Sequence, residues 1–196
     1  MNTTTTMQRH SIRWLRQVLA DALTLNQDFY EHSHNYPAAA RYARSVVVLA
    51  GLSHGLGSSL ILLLYRPSFL QLTLGLLINS LSVVVGYYLW TYGLWKINTY
   101  LAPPVPPYRE LLVPVGFAYT PQMLNLLTVI PLLGRPITLA LAGWTLLGAI
   151  AAVRAGLNIS LVKATLLAGV GFTLVQVSVG LVQEGVQNWV APNLLQ

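Results

Sequence analysis

The chain has 196 residues, of which 55% are hydrophobic and only 8% are charged. A soluble domain carries about 25% charged residues, so this composition excludes an ordinary soluble globule and indicates a protein whose solvent is lipid. There is no cysteine, which excludes disulfides, thiolate nucleophiles and cysteine-ligated zinc. The net charge of +6 fits the Lys and Arg of cytoplasmic membrane-protein segments better than nucleic-acid binding.

The first 40 residues contain no compact apolar run followed by a small-residue cleavage site, so no cleavable signal is predicted. From Met7 to Glu31, apolar and polar residues fall on opposite halves of a helical wheel, which predicts one amphipathic helix. Such a helix would lie in the membrane interface or pack against the bundle or a partner subunit, and both readings stay open. The candidate lipid-headgroup residues are Arg9, Arg13, Arg16, Arg41 and Arg44.

Five hydrophobic runs follow, each of a length that suits a helix crossing about 30 Å of hydrocarbon. They cover about residues 45–64, 69–95, 111–130, 137–153 and 164–182. The sequence therefore predicts an all-α fold: a bundle of five transmembrane helices within residues 41–184. The interfacial helix and its linker occupy 1–40, and a short frayed tail occupies 185–196.

Three segments between and within these runs have a distinct composition. Tyr and Trp residues crowd the end of the second run and place the membrane edge near Trp95. Four prolines within 102–107 then predict a stiff polyproline II link. In the third run, Pro114, Gly116 and Pro121 predict a kinked helix whose freed carbonyls are satisfied by neighbours.

The basic residues predict an orientation. With five crossings, one side carries five basic residues in the N-terminal segment and two each in the second and fourth loops, whereas the other side carries only Arg66 and Arg135. The positive-inside rule then predicts a cytoplasmic N-terminus and a C-terminus on the opposite side.

No catalytic residue, cofactor or metal site is predicted. The acidic residues all lie away from mid-membrane, where a coupled transporter or proton pump needs a group that changes charge: Asp21, Asp28, Glu31, Glu110 and Glu184. His32 and His34 lack a third ligand at a fitting spacing, and there is no phosphate-binding glycine loop or nucleophile elbow.

His54 is the one ionisable residue inside a predicted span, where a neutral imidazole most often hydrogen-bonds across helices. It lies between Gly51 and Gly55, a GxxxG pair that favours close helix packing. Amide side chains also fall in the spans: Asn79, Gln122, Asn125 and Gln176. Such groups usually hold helices together, and the alternative is that they line a polar cavity.

Three short motifs occur in order between residues 108 and 164: Gly-Phe-Ala-Tyr-Thr-Pro at 116–121, Ile-Pro-Leu-Leu-Gly at 130–134, and a tryptophan in the next span. In this order and spacing the chain resembles the Yip1-domain family of five-span membrane proteins, in particular its bacterial branch. The stretches 22–26 and 87–90 look like cyanobacterial members. The residues that carry the likeness are Gly116, Tyr119, Pro121, Pro131, Gly134 and Trp144.

The resemblance implies a cytoplasmic N-terminus and a location in a bacterial plasma membrane or a thylakoid membrane. The Asp-Leu-Tyr-Gly-Pro motif of eukaryotic members is absent, so their binding of small GTPases does not carry over.

The leading functional hypothesis is a non-enzymatic accessory, assembly or membrane-organising subunit. Its partners would be the bilayer, other membrane proteins or a larger complex, or a second copy of the chain. The alternative is a small channel or carrier with a polar cavity at the kinked third helix, lined by Asn79, His54, Gln122 or Asn125.

Overall fold

The structure is a computed structural model that describes residues 16–36, 38–63, 66–101, 105–130 and 132–190. Within these ranges the chain is helical and contains no strand. The helices are α1 (16–23), α2 (Gln27–His32), α3 (Ala39–Leu62), α4 (Phe69–Leu101), α5 (Tyr108–Ala118), α6 (Gly134–Leu157) and α7 (Leu161–Val190). Two 3₁₀ helices cover Ser33–Asn35 and Thr120–Val129.

Four helices in the described part of the chain, α3, α4, α6 and α7, are long and apolar enough to cross a membrane. The helices α4, α6 and α7 extend beyond the predicted runs, and α3 begins earlier than its run, because hydropathy reports apolar composition whereas a helix continues until its backbone is interrupted. The frayed tail predicted from 185 is wrong for 185–190, which belong to α7. Residues 191–196 lie outside the described part.

Among the described residues, 16–31 form two helices and not part of the single helix predicted for 7–31. Leu25 adopts a left-handed conformation with φ 59°, which ends α1 and turns the chain. Asn26 then caps α2 by accepting a hydrogen bond from the Phe29 amide at 3.4 Å. A helical wheel could not detect this break, because the apolar pattern runs through it. Arg9 and Arg13 lie outside the described residues.

The apolar side of α1 and α2 packs on protein. Phe29 and Tyr30 are buried in the same core as the long helices, and the Phe29 ring lies 5.2 Å from that of Phe117 on α5. On α6, the Trp144 indole donates to the Leu23 carbonyl at 2.9 Å. Of the two readings left open by the sequence, the described residues therefore show contact with the bundle.

The third apolar run is not one kinked α-helix. Its α-helical part, α5, ends at Ala118, and the 3₁₀ helix Thr120–Val129 continues it. Leu111 approaches Gly156 and Ala118 approaches Gly148, while a Cβ on Gly57 would lie 3.2 Å from the Asn125 carbonyl oxygen. The run thus follows α6 antiparallel and α3 parallel.

Glycines set the spacing of the long helices. A Cβ on Gly51 would lie 2.7 Å from the Ser80 carbonyl oxygen, so α3 and α4 are close together. One turn further along α3, Gly55 faces Leu76, which is one turn earlier on α4, so the two helices are antiparallel. Gly75 faces Val186, Gly86 faces Val175 and Gly171 contacts the Trp90 indole, so α7 runs antiparallel to α4.

This arrangement separates the basic residues between the two ends of the bundle. At the end formed by the start of α3 and the end of α6 lie Arg41, Arg44, Lys96, Arg109, Arg154 and Lys163. Arg66 and Arg135 lie at the other end.

The aromatic residues of α4 divide into two groups, not one membrane-edge belt. Tyr87 and Trp90 are buried and pack on Tyr119 of the third run, with ring centroids 5.6 Å and 6.3 Å away. Trp95 lies nearer the helix end, and its indole donates to the Pro106 carbonyl at 3.0 Å. Pro107 has φ −57° and ψ 142°, in the polyproline II region, and residues 102–104 lie outside the described part.

Replacing Gly55 with alanine should loosen the α3–α4 pair, because the new Cβ would lie 2.8 Å from the Leu76 carbonyl oxygen. We expect a loss of about 1–3 kcal/mol in the free energy of unfolding, measured by denaturant titration in detergent with circular dichroism. Gly93→Ala on α4 is the matched control, because its Cβ would meet nothing within 4 Å. Equal losses in both variants would contradict this packing.

Candidate polar cavity in the helix bundle

The transition from α5 to the 3₁₀ helix is where polar groups enter the bundle. Pro121 has no N–H, so the Phe117 carbonyl loses the donor that an α-helix would supply. The Thr120 hydroxyl donates to that carbonyl at 2.6 Å. Across the interface, the Ser53 hydroxyl on α3 accepts from the Leu126 amide at 2.9 Å. These bonds allow a 3₁₀ segment of 10 residues, far longer than usual, to persist between two helices.

A chain of hydrogen-bonded side chains connects this segment to α6. The Gln122 amide nitrogen donates to the Thr145 hydroxyl at 3.0 Å. The Gln122 carbonyl oxygen accepts from the Asn125 amide nitrogen. Both polar ends of the Gln122 amide are therefore hydrogen-bonded, which fixes the orientation of its side chain.

These residues line a small cavity of about 50 Å³. Its polar lining comes from α3, the third run, α6 and α7: His54, Tyr119, Gln122, Asn125, Thr138, Thr145 and Gln176. Val83, Phe172, Val175 and Val179 complete the wall. A polar cavity of this size has room for about one or two water molecules or a solute of similar dimensions.

Two lining atoms are buried without a hydrogen-bond partner among the described residues: His54 Nε2 and the Tyr119 hydroxyl. Tyr119 is only 4% exposed. A buried donor or acceptor without a partner costs about 1–3 kcal/mol, so both atoms favour a hydrogen-bonding occupant of the cavity. No lining residue is Asp, Glu, Lys or Arg, so the site suits a neutral solute better than an ion.

The cavity brings together some of the residues singled out by the sequence and separates others. His54, Gln122 and Asn125 line it, together with Tyr119 from the family-like motif. Asn79 does not line it, although its side chain is buried and both its amide atoms lack partners in the described part. An amide in an apolar run shows that a polar contact is needed but not which neighbour supplies it.

Thr138 and Thr145 were missed by the sequence analysis. Thr145 is fully buried and accepts from Gln122, so its role depends on a neighbour 23 positions away in sequence. The one available signal was a hydroxyl in an otherwise apolar span, which is common in membrane helices.

The other motif residues have packing roles. A Cβ on Gly116 would lie 3.0 Å from the Ala43 Cβ, and Gly134 contacts the Thr128 carbonyl at the start of α6. Trp144 holds the N-terminal segment, as described above. Pro131 lies outside the described residues.

The predicted headgroup residues within the described part, Arg16, Arg41 and Arg44, have exposed side chains. The Arg44 guanidinium donates to the Ala40 carbonyl of its own helix at 3.0 Å. None of the three lines the cavity.

Comparison with known proteins identifies no relative: no family model, no curated protein and no solved structure matches this chain.

Replacing Ser53 with alanine should destabilise the 3₁₀ segment, because the Leu126 amide would lose its acceptor. We expect a local loss of about 1–2 kcal/mol, seen as amide hydrogen exchange about five to thirty times faster across Thr120–Val129. The matched control is Ser45→Ala on the same helix, whose exposed hydroxyl bonds only to the Arg41 carbonyl of its own turn. Unchanged exchange in Ser53→Ala would show that this bond does not hold the segment.

Proposed function

We propose that this chain is a non-enzymatic integral membrane protein that passes water-sized, neutral, hydrogen-bonding solutes through the bundle. The proposal rests on the cavity where the third run changes from an α-helix to a 3₁₀ helix. His54 Nε2 and the Tyr119 hydroxyl belong to its lining, and neither atom has a hydrogen-bond partner among the described residues. Irregular backbone in a membrane is tolerated where it is buried in protein or lines a polar cavity, and transporters place their solute sites at such breaks.

The chemistry of the lining limits the kind of transport. The cavity wall contains no Asp, Glu, Lys or Arg, and His54 is its one group that titrates near neutral pH, so we propose that the passage is passive. Fixed amides and hydroxyls replace the hydrogen bonds that a solute leaves in water, which lowers the barrier for a small neutral molecule.

We further propose that the chain crosses the membrane five times, with its basic end in the cytoplasm. The third run follows α6 from Gly156 to Gly134, which supports a fifth crossing alongside the four long helices. The concentration of Arg and Lys at one end supports the orientation. Membership of the bacterial Yip1-domain branch, in a plasma or thylakoid membrane, is a proposal that rests on the sequence motifs.

A solute flux experiment tests the proposed function. Wild-type protein in liposomes should raise water or ammonia permeability above that of empty vesicles, measured by stopped-flow light scattering and an internal pH dye. His54→Phe should abolish the increase, because it removes the imidazole and fills the cavity. His32→Phe is the matched control, since His32 is exposed on α2 outside the cavity.

Two flux results would contradict the proposal. One is a wild-type permeability equal to that of empty vesicles, and the other is an increase that survives His54→Phe in full. Size-exclusion profiles of both variants separate loss of flux from loss of fold.

The number of crossings can be tested with single cysteines, because the natural chain has none. Ser68→Cys, Arg135→Cys and Ser160→Cys place one thiol at each of three exposed positions. With five crossings, a membrane-impermeant reagent should label 68 and 135 from the same side and 160 from the other. If the third run does not cross, 68 and 160 will share a side and 135 will be labelled from the opposite one.

The second candidate function is the accessory or assembly role, and the outer faces of α4 and α7 favour it. Only 17% of the apolar stretch is buried within the molecule in each of these helices, compared with 56% in α3. If flux is absent, a stoichiometric partner retained after gentle-detergent purification from native membranes would support this candidate.

A further inference from the structure

A second concave surface, which we call the lateral groove, lies between α4 and α7 and has a volume of about 620 Å³. Its rim residues, such as Leu89, Val170 and Leu174, are 63–66% exposed, so the groove opens to the outside of the bundle. Trp90 and Gly171 form part of its floor. It shares Val175 and Val179 with the wall of the polar cavity and opens where lipid would surround a membrane protein.

The lining of the lateral groove is almost entirely apolar. The two lining serines, Ser82 and Ser178, each donate their hydroxyl at 2.8 Å to a carbonyl of their own helix, so neither needs a ligand. On α4 the lining extends over 15 steps from Ser82 to Ile97, which is about 22 Å at 1.5 Å per residue. Since one leaflet contributes about 15 Å of hydrocarbon, the groove is long enough to seat one extended acyl chain.

One end of the lateral groove is positively charged. Lys163 is in the first turn of α7 and lies on the same helix face as the lining residues Leu166, Leu167 and Val170. Lys96 lies one turn beyond Gly93 on α4, and its ammonium is 5.3 Å from the Tyr100 ring centroid. Because α4 and α7 are antiparallel, both lysines lie at the same end.

The charges at this end are available to a ligand. Both lysine side chains are exposed, and the one ion pair in the described part of the chain, His32 with Asp28, involves neither. The N-terminus of α7 adds the positive end of a helix dipole at the same level.

We propose that the lateral groove binds one anionic phospholipid, with its phosphate between Lys96 and Lys163 and an acyl chain along α4 and α7. An apolar groove with one cationic end matches the two chemical parts of such a lipid. A transmembrane helix of a partner or of a second copy would use the apolar wall but leave the two lysines without a counter-charge.

Native mass spectrometry of protein taken from vesicles of equal parts phosphatidylglycerol and phosphatidylcholine tests this site. Wild type should retain one phosphatidylglycerol per chain in preference to phosphatidylcholine. Lys96→Gln with Lys163→Gln should lower that preference about twenty-five-fold, at roughly fivefold per lysine. Gly93→Leu should remove the bound lipid, because a side chain at 93 enters open space in the groove.

Matched controls come from the rest of the molecule. Arg66→Gln with Arg135→Gln removes two exposed basic residues at the opposite end, and Gly143→Leu adds a side chain to an open position on α6. Both controls should retain phosphatidylglycerol as wild type does.

Several results would overturn the proposal: equal retention of the two lipids by wild type, unchanged retention in Gly93→Leu, or loss in the arginine control. A lipid-free dimer of wild type would also overturn it and assign the lateral groove to a second copy.

Discussion

Inside a bilayer a backbone N–H or C=O has no water to bond, so any departure from the α-helix must find its partners within the protein. This requirement is most acute at Pro121, where the third apolar run leaves the α-helical conformation. The Thr120 hydroxyl supplies the Phe117 carbonyl with a donor, and Ser53 on α3 supplies the Leu126 amide with an acceptor. The run can keep this irregular shape because α3 and α6 enclose it on two sides.

The same requirement links helix packing to the polar cavity. Hydrogen bonds across helices need close backbones, and Gly57 and Gly148 allow α3 and α6 to approach the third run. Gln122 bonds to both Asn125 and Thr145, whereas His54 Nε2 and the Tyr119 hydroxyl have no hydrogen-bond partner among the described residues. A bundle whose third run was an unbroken helix would have no need of this polar interior.

Burial is uneven around the bundle, and this unevenness separates two kinds of surface. The N-terminal helices cover part of α6 through Trp144, whereas α4 and α7 keep long apolar faces on the outside. Where the N-terminal helices cover α6, apolar contacts complete the core. The outer faces of α4 and α7 leave apolar area for lipid or for another membrane protein. The polar cavity and the lateral groove therefore differ in the chemistry of their linings, although Val175 and Val179 line both.

The sequence by itself determined that the chain is α-helical and suited to a membrane, and it located four long apolar helices, because hydropathy and length depend on local composition. It also indicated that the third run is irregular, since proline lacks the N–H that continues an α-helix. The α-helical conformation continues past Pro114 and ends before Pro121. The sequence did not reveal the turn at Leu25, the contact of Trp144 with the N-terminal segment, or the pairing of Gln122 with Thr145. Those features were decided by the tertiary structure, because each depends on groups that are distant in sequence or on a backbone conformation that the packed bundle stabilises.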